Sequence, residues 1–230
     1  MESSEIHRLV QLEDDHWWYR ERRAILAREL RGLPPGRAVD VGAAGGGNTR
    51  VLLRHGWRAT AVDHSEAAVR VARDRGLPAV RADARELPFP DGRVDLVTAF
   101  DVLEHIEEDH LVAEELARVL RPGGRALVAV PCDMALWSAH DEAVGHVRRY
   151  SRDGLVQTIA KTGLTVERVW SWNVLLRPVV ALRRRRSAGS DLDRLPRVVN
   201  SALSAVVAVE RRLPVRALPG VTLFLRARKH

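Results

Sequence analysis

The 230-residue chain reads as a doubly wound α/β protein, and three observations predict this. Short β-rich runs alternate with helical segments over residues 38–131. The first run leads into a glycine-rich turn, Gly42-Ala43-Ala44-Gly45-Gly46-Gly47, and the next two end near Asp63 and Asp83. A fourth run ends at Phe100, and polar residues cluster just beyond it. Strands separated by helices imply parallel pairing through right-handed crossovers, and hence a sheet covered on both faces.

Strands are expected at residues 38–42, 58–63, 78–83, 94–100 and 124–131. Helices are expected at 49–55, 65–75 and 108–120, where apolar residues recur at three- and four-residue spacing. Ser65 suits an N-cap, and Pro122-Gly123-Gly124 reads as the turn that closes the third of these helices. Residues 151–162 read as a helix stopped by Gly163, 164–172 as a sixth strand and 221–229 as the closing, antiparallel strand. About fifty residues separate these last two, too many for a hairpin loop. They hold two apolar, arginine-flanked segments, 174–182 and 195–213, with Ser187-Ala188-Gly189-Ser190 as the turn between them. Ahead of the first strand, Asp15-His16-Trp17-Trp18-Tyr19-Arg20 concentrates three of the chain's eleven aromatics. Its plain reading is a helix stapled by tryptophan to the sheet.

Hydrophobic residues make up 46% and charged residues 29%, ordinary for a soluble globular protein. The single cysteine, Cys132, excludes an internal disulfide framework and fits a reducing cytosol. With Glu2 and Glu5 and no apolar core, the first residues do not read as a signal peptide, so a cytoplasmic location is expected. No apolar run approaches the roughly 18–20 residues that span a bilayer. The net charge of +7 and pI near 10.7 invite a nucleic-acid reading. Against it, all but Lys161 and Lys229 of the 37 basic residues are arginines, a bias that a GC-rich genome produces by codon habit. The one dense basic run, Arg183-Arg184-Arg185-Arg186, suits either a solvated helix end or an anionic membrane surface.

A glycine turn from strand to helix lets a ligand approach the backbone closely, and Asp63, about twenty residues on, can accept both hydroxyls of a ribose. Any adenosine cofactor would fit so far. Two details narrow the choice. The dinucleotide spacing G-x-G-x-x-G cannot be placed across Gly42–Gly47, and Asp40 at the turn would repel a pyrophosphate. S-adenosylmethionine, with an ammonium and a sulfonium and no phosphate, tolerates that acid. Asp83 is placed to accept from an adenine amino group.

The blocks Asp40–Thr49, Leu87-Pro88-Phe89-Pro90-Asp91-Gly92, Asp101-Val102-Leu103-Glu104-His105 and Arg118-Val119-Leu120-Arg121-Pro122-Gly123-Gly124 follow in order and at proper spacing. They resemble the class I S-adenosylmethionine-dependent methyltransferases, in the broad group of the ubiquinone and menaquinone biosynthesis enzymes. The resemblance implies a Rossmann-like, seven-stranded, mostly parallel sheet with an antiparallel last strand. It further implies a helical lid over residues 1–36, a cofactor-binding core over 37–172, a helical cap over 173–220 and a closing strand over 221–230. By it, Asp40, Gly42, Ala44 and Gly46 line the methionine part of S-adenosylmethionine, Asp63 holds the ribose, His64 flanks the adenine, and Asp83 with Ala84 meets its edge. Phe100 lies beside the cofactor. Ala44 departs from the pattern, since glycine is usual there.

Methyl transfer is an in-line displacement on an already activated electrophile, so alignment and exclusion of water carry most of it. A base is needed only where the acceptor must lose a proton. His105 is the leading candidate, with His146, His140 and Tyr150 after it. Trp18, Tyr19, Trp137 and Arg149 are candidates for orienting the acceptor. No metal is expected. The weaker alternative is a divalent cation at Asp101, Glu104 and His105, which resembles the acid-x-x-Glu-His group of some quinone-ring O-methyltransferases. In a third reading Glu104 and His105 organise the loop. The apolar cap points to a small, hydrophobic or lipid-linked acceptor, with an anionic membrane as a peripheral partner and a monomer or homodimer as the assembly. S-adenosylhomocysteine would be the product. Alternatives are an RNA or protein methyltransferase, and a cofactor-binding protein that transfers nothing.

Overall fold

The computed structural model describes residues 10–184 and 195–230. One sheet of seven strands organises it: β1 (Arg37–Val41), β2 (Arg58–Asp63), β3 (Ala79–Arg81), β4 (Val94–Phe100), β5 (Leu120–Pro131), β6 (Thr165–Trp172) and β7 (Thr222–Arg228). Their order is β3-β2-β1-β4-β5-β7-β6. The strands β1 to β5 pair in parallel, while β7 runs antiparallel between β5 and β6. The doubly wound fold expected from the sequence is therefore present.

Strand side chains alternate between two cores, as the period of two requires. Val39, Val41, Val97, Ala99, Val128 and Val130 face one layer, built by α4 (Asp109–Val119) and α6 (Arg152–Ala160). Ala38, Leu96, Phe100, Leu127, Ala129 and Phe224 face the other, built by α1 (Trp17–Glu29), α2 (Gly47–Arg54) and α8 (Arg197–Glu210). Between β2 and β3 runs α3 (Glu66–Asp74), capped as expected by the Ser65 hydroxyl accepting from Ala68 N. The short α5 (Ala139–Ala143) follows β5, and α7 (Arg177–Arg184) with α8 forms the insertion before β7.

Two boundaries differ from expectation. The third strand is only three residues long. The Pro122-Gly123-Gly124 turn does not close a helix: α4 stops at Val119 and β5 begins at Leu120, with the three residues inside the strand. The pairing of β5 with β4 slips between Val94 and Leu96, so the extra residues are absorbed as an irregularity. Gly123 supplies the positive φ this needs, and its N–H donates to Lys229 O. The turn expected at residues 187–190, with Arg185 and Arg186, lies outside the described residues.

The aromatic N-terminal segment is stapled as its plain reading says. Trp17 is buried in the second core, and the rings of Trp17 and Trp18 lie 6.2 and 4.5 Å from that of Trp172 at the end of β6. A single side chain then clasps this segment to the insertion: Trp17 N donates to Asn200 Oδ1 at 2.8 Å, and Asn200 Nδ2 donates to Asp15 O at 3.0 Å. Glu210 performs the matching task at the other end of α8. Its buried carboxylate accepts from Asn173 N at 2.7 Å and Leu175 N at 2.9 Å, fixing the path from β6 into α7.

The glycine turn is packed from outside as well as open within. Gly46 has φ +80°, and a methyl there would come within 2.2 Å of Leu77 Cδ1. Gly46→Ala therefore combines left-handed strain with overpacking. It is expected to lower unfolding free energy by about 2–4 kcal/mol in urea titrations. An unchanged midpoint would show that Leu77 yields freely.

Candidate active site

The parallel strands deliver their carboxyl ends to one edge, and the backbone leaves that edge in left-handed conformations. Gly42 and Ala44 follow β1 with φ of +67° and +47°, Asp101 follows β4 at +58°, and Asp133 follows β5 at +69°. Sparsely populated φ values that gather in one place mark a site the surrounding structure holds against strain. Ala44, the departure noted in the sequence, thus occupies a position whose backbone favours glycine.

Asp40 does not face the cleft. It is 1% exposed beneath the turn, where Thr49 Oγ1 and Thr98 Oγ1 each donate to it at 2.7 Å. Its role is to tie β1, the start of α2 and β4 together. Gly46 packs on Leu77, Gly47 lies under the carboxylate of Glu13, and Gly46 lines neither of the two chambers described next. Gly42 does face the cleft, closely backed by Val102, whose methyl an added Cβ would meet at 2.4 Å.

Two chambers open along the edge. The first, about 410 Å³, is walled by Gly42, Ala44, Asp63, His64, Asp83, Ala84, Asp101 and His105, among others. Asp63 is oriented by backbone donors on both oxygens: Ala44 N to Oδ2 and Ser65 N to Oδ1, each at 2.9 Å. Asp83 is held by Arg85, whose backbone N and guanidinium donate to it, and this pairing keeps its carboxyl below the usual range. His64 stands exposed at the rim, 3.5 Å from Asp63.

The second chamber, about 320 Å³, lies beneath α1 and the insertion. Trp18, Tyr19, Phe100, Leu176, Val180 and Leu203 give it a largely apolar wall, and Gly42, Ala44, Asp101 and His105 border both chambers. Arg22, which the sequence did not single out, is buried here. Its guanidinium lies 5.4–5.8 Å from the Trp18, Phe100 and Phe224 rings and makes a charge contact with Asp101 at 2.7 Å, out of hydrogen-bond alignment. Among the described residues, neither terminal nitrogen has a hydrogen-bond partner. A buried guanidinium with unmet N–H groups is a ready receptor for a carboxylate.

A third group lies against both chambers. Asp141, fully buried, accepts from His146 Nδ1 and from Arg149 Nε and a terminal nitrogen, each at 2.8 Å, and from Ser138 N at 3.0 Å. His146 meets the His105 ring edge-on at 4.7 Å and the His140 ring at 6.3 Å. Burial and the neighbouring His146 hold the His105 imidazole below its usual range, favouring its neutral form. So the rings of His105, His140 and His146 converge. Three other residues do not join them at the acceptor. Tyr150 is buried in the core with its hydroxyl donating to Asp109 at 2.6 Å. Arg149 reaches the chamber wall, but its guanidinium is spent on Asp141 and the Cys132 carbonyl. Trp137 borders neither chamber.

This edge fits S-adenosylmethionine. A carboxylate fixed by two N–H groups suits ribose hydroxyls, a glycine with no room for a side chain allows close approach, and the Arg22 guanidinium keeps unmet N–H groups beside its charge contact with Asp101. Residues 39–128 match the protein family described as the methyltransferase domain. Over that stretch the chain is similar to S-adenosylmethionine-dependent methyltransferases. The domain is similar to a protein named as an S-adenosylmethionine-dependent methyltransferase in Mycobacterium tuberculosis strain H37Rv. The two are 27% identical over 156 residues, covering 66% of this chain and 57% of that one. The demethylmenaquinone methyltransferase of Mycobacterium sp. strain KMS is 36% identical over 121 residues, covering 52% and 50%. The chain thus spans between half and three-fifths of the length of these curated relatives. Beyond the methyltransferase domain, the fold extends over 97% of this chain and 95% of the protein solved with the Haloferax volcanii Trm112 methyltransferase activator. That structure superposes with a TM-score of 0.67 at 22% identity.

Burial pushes the Asp40 carboxyl up to about 6, against the two threonine hydroxyls that pull it down. Its folded value lies above the unfolded value of roughly 3.9. The stability so conferred is complete at acid pH and is lost as pH rises through about 6. Asp40→Asn removes this penalty. Relative to the native chain, the variant is expected to gain up to about 3 kcal/mol between pH ~4 and ~7. Urea titrations across that range check it, and a pH-independent difference would refute the assignment.

Proposed function

We propose that the chain transfers the methyl group of S-adenosylmethionine to an oxygen, nitrogen or carbon nucleophile of a small hydrophobic metabolite, lipid-linked or isoprenoid- and quinone-like. The observation that carries this is the junction of a polar chamber and an apolar one at Gly42, Ala44, Asp101 and His105. Bound there, S-adenosylmethionine supplies a methyl group activated by its positive sulfur.

The protein's own work is alignment and exclusion of water, which can contribute about 7–11 kcal/mol. Asp63 holds the ribose, with Asp83 and Ala84 at the adenine edge and His64 at the rim. Arg22 holds the α-carboxylate at the opposite end, so α1 acts as the lid by which cofactor binding closes the second chamber. Phe100, 7% exposed, stiffens the wall between the two occupants. Trp18, Tyr19, Leu176 and Val180 enclose the acceptor's apolar body. His105 and His146, with His140 beside them, face its nucleophilic atom and serve to activate it.

The acceptor class is supported by the apolar chamber and by the demethylmenaquinone methyltransferase relative. Val179, Leu182, Val198 and Val209 leave the insertion's outer surface apolar beside Arg197, Arg211 and Arg212. Such a surface suits contact with anionic lipid, from which a lipid-like acceptor would be drawn. Among the described residues no helix is long and apolar enough to cross a membrane.

Calorimetric titration tests the cofactor assignment: S-adenosylmethionine should bind and NAD should not, and the reverse would sink it. Arg22→Ala should weaken S-adenosylmethionine by about 10–100-fold, the value of a lost charged hydrogen bond. His105→Ala and His146→Ala should depress turnover far more than cofactor affinity. If both keep native rates, the histidines do not activate the acceptor.

A further inference from the structure

Glu104 is fully buried, and among the described residues neither carboxylate oxygen accepts a hydrogen bond. Leaving a buried carboxyl without a partner is costly, and such a group calls for an explanation. Its neighbours are the Asp101 carboxyl, the Arg22 charge and two imidazoles. His146 Nε2 stands 3.9 Å from Glu104 Oε1, and one donor atom from each of Glu104, His105 and His146 lies within 4.8 Å of the others. Both rings have the other nitrogen committed: His146 Nδ1 to Asp141 at 2.8 Å, and His105 Nδ1 to Gly145 O at 3.2 Å. Bonds of that kind fix the tautomer and leave Nε2 as the lone-pair nitrogen, the arrangement found behind metal-bound histidines.

We propose that Glu104, His105 and His146 form a binding site for a divalent transition-metal cation, with Asp141 positioning His146. Two imidazoles and a carboxylate suit zinc, manganese or iron rather than calcium or magnesium. The set differs from the one the sequence suggested. Asp101 is engaged by Arg22 at 2.7 Å, and its place is taken by His146, from a loop forty residues away. The cation adds opposite charge beside Glu104 and Asp101, two neighbouring carboxyls that share the Arg22 charge. Its position beside His105, where the two chambers meet, would let it polarise an acceptor oxygen or nitrogen. That role rests on the methyl-transfer reading, whereas the binding site rests on the side chains alone.

The full chain, stripped by a chelator, would be titrated with Zn²⁺ by calorimetry and with Co²⁺ by visible absorption, and metal per chain counted by mass spectrometry. One cation per chain is expected. Binding should be lost in Glu104→Gln and His146→Ala, weakened about 10–100-fold in Asp141→Asn, and unchanged in His110→Ala on exposed α4 surface. His105→Ala, at the chamber wall, gives a loss-of-ligand variant outside the hydrophobic core. Absence of stoichiometric binding, or binding that survives both Glu104→Gln and His146→Ala, overturns the proposal. S-adenosylmethionine affinity is measured on the same samples. Cofactor binding without metal binding rejects the cation site alone, and metal binding without cofactor binding rejects methyl transfer while leaving the site standing.

Discussion

A parallel sheet cannot distribute its loose ends. All the strands that run together stop at one edge, and every chain segment leaving it must turn within a residue or two. In this protein that constraint concentrates strained backbone, buried acids and open volume in one band. Asp40 shows how the band is kept rigid: one carboxylate beneath the surface accepts from Thr49 and Thr98 and so locks strand, turn and helix into one unit. The left-handed residues above it hold their conformations because what lies below cannot shift.

Four of the five buried carboxylates among the described residues then divide the labour. Asp40 is satisfied by hydroxyls, Glu210 by backbone N–H groups at the base of α7, and Asp141 by an arginine, a histidine and a backbone amide. Each completes its own bonding and serves as scaffold. Glu104 alone among these four is left without a hydrogen-bond partner, and it is the one beside the convergent histidines. The contrast separates groups that hold the structure from one available to a ligand.

Much of this was legible in the sequence. The alternation of β-rich and helical runs gave the parallel pairing, and the glycine turn and Asp63 do meet at one edge, joined by Ala44 N. The errors came from residues whose roles are decided by distant partners. Asp40 and Gly46 stand in the turn as a ligand-binding motif would place them, but Thr98, 58 residues away, and Leu77 decide where they face. Tyr150 sits in a histidine- and arginine-rich loop, yet Asp109 draws its hydroxyl into the core. Arg22 was passed over because a helical arginine is commonplace in isolation. A weak signal did exist for Arg22: it lies one helical turn beyond Trp18, so an aromatic that reaches the sheet brings the guanidinium with it.

The Asn200 clasp joins the two ends of the chain across the mouth of the cleft, one amide side chain bonding a leading segment to a late helix. Because α1 and α8 both roof the apolar chamber, neither lifts without straining the same pair of bonds. The space they cover therefore opens as one: a movement wide enough to admit an oily molecule must part both bonds of the clasp at once.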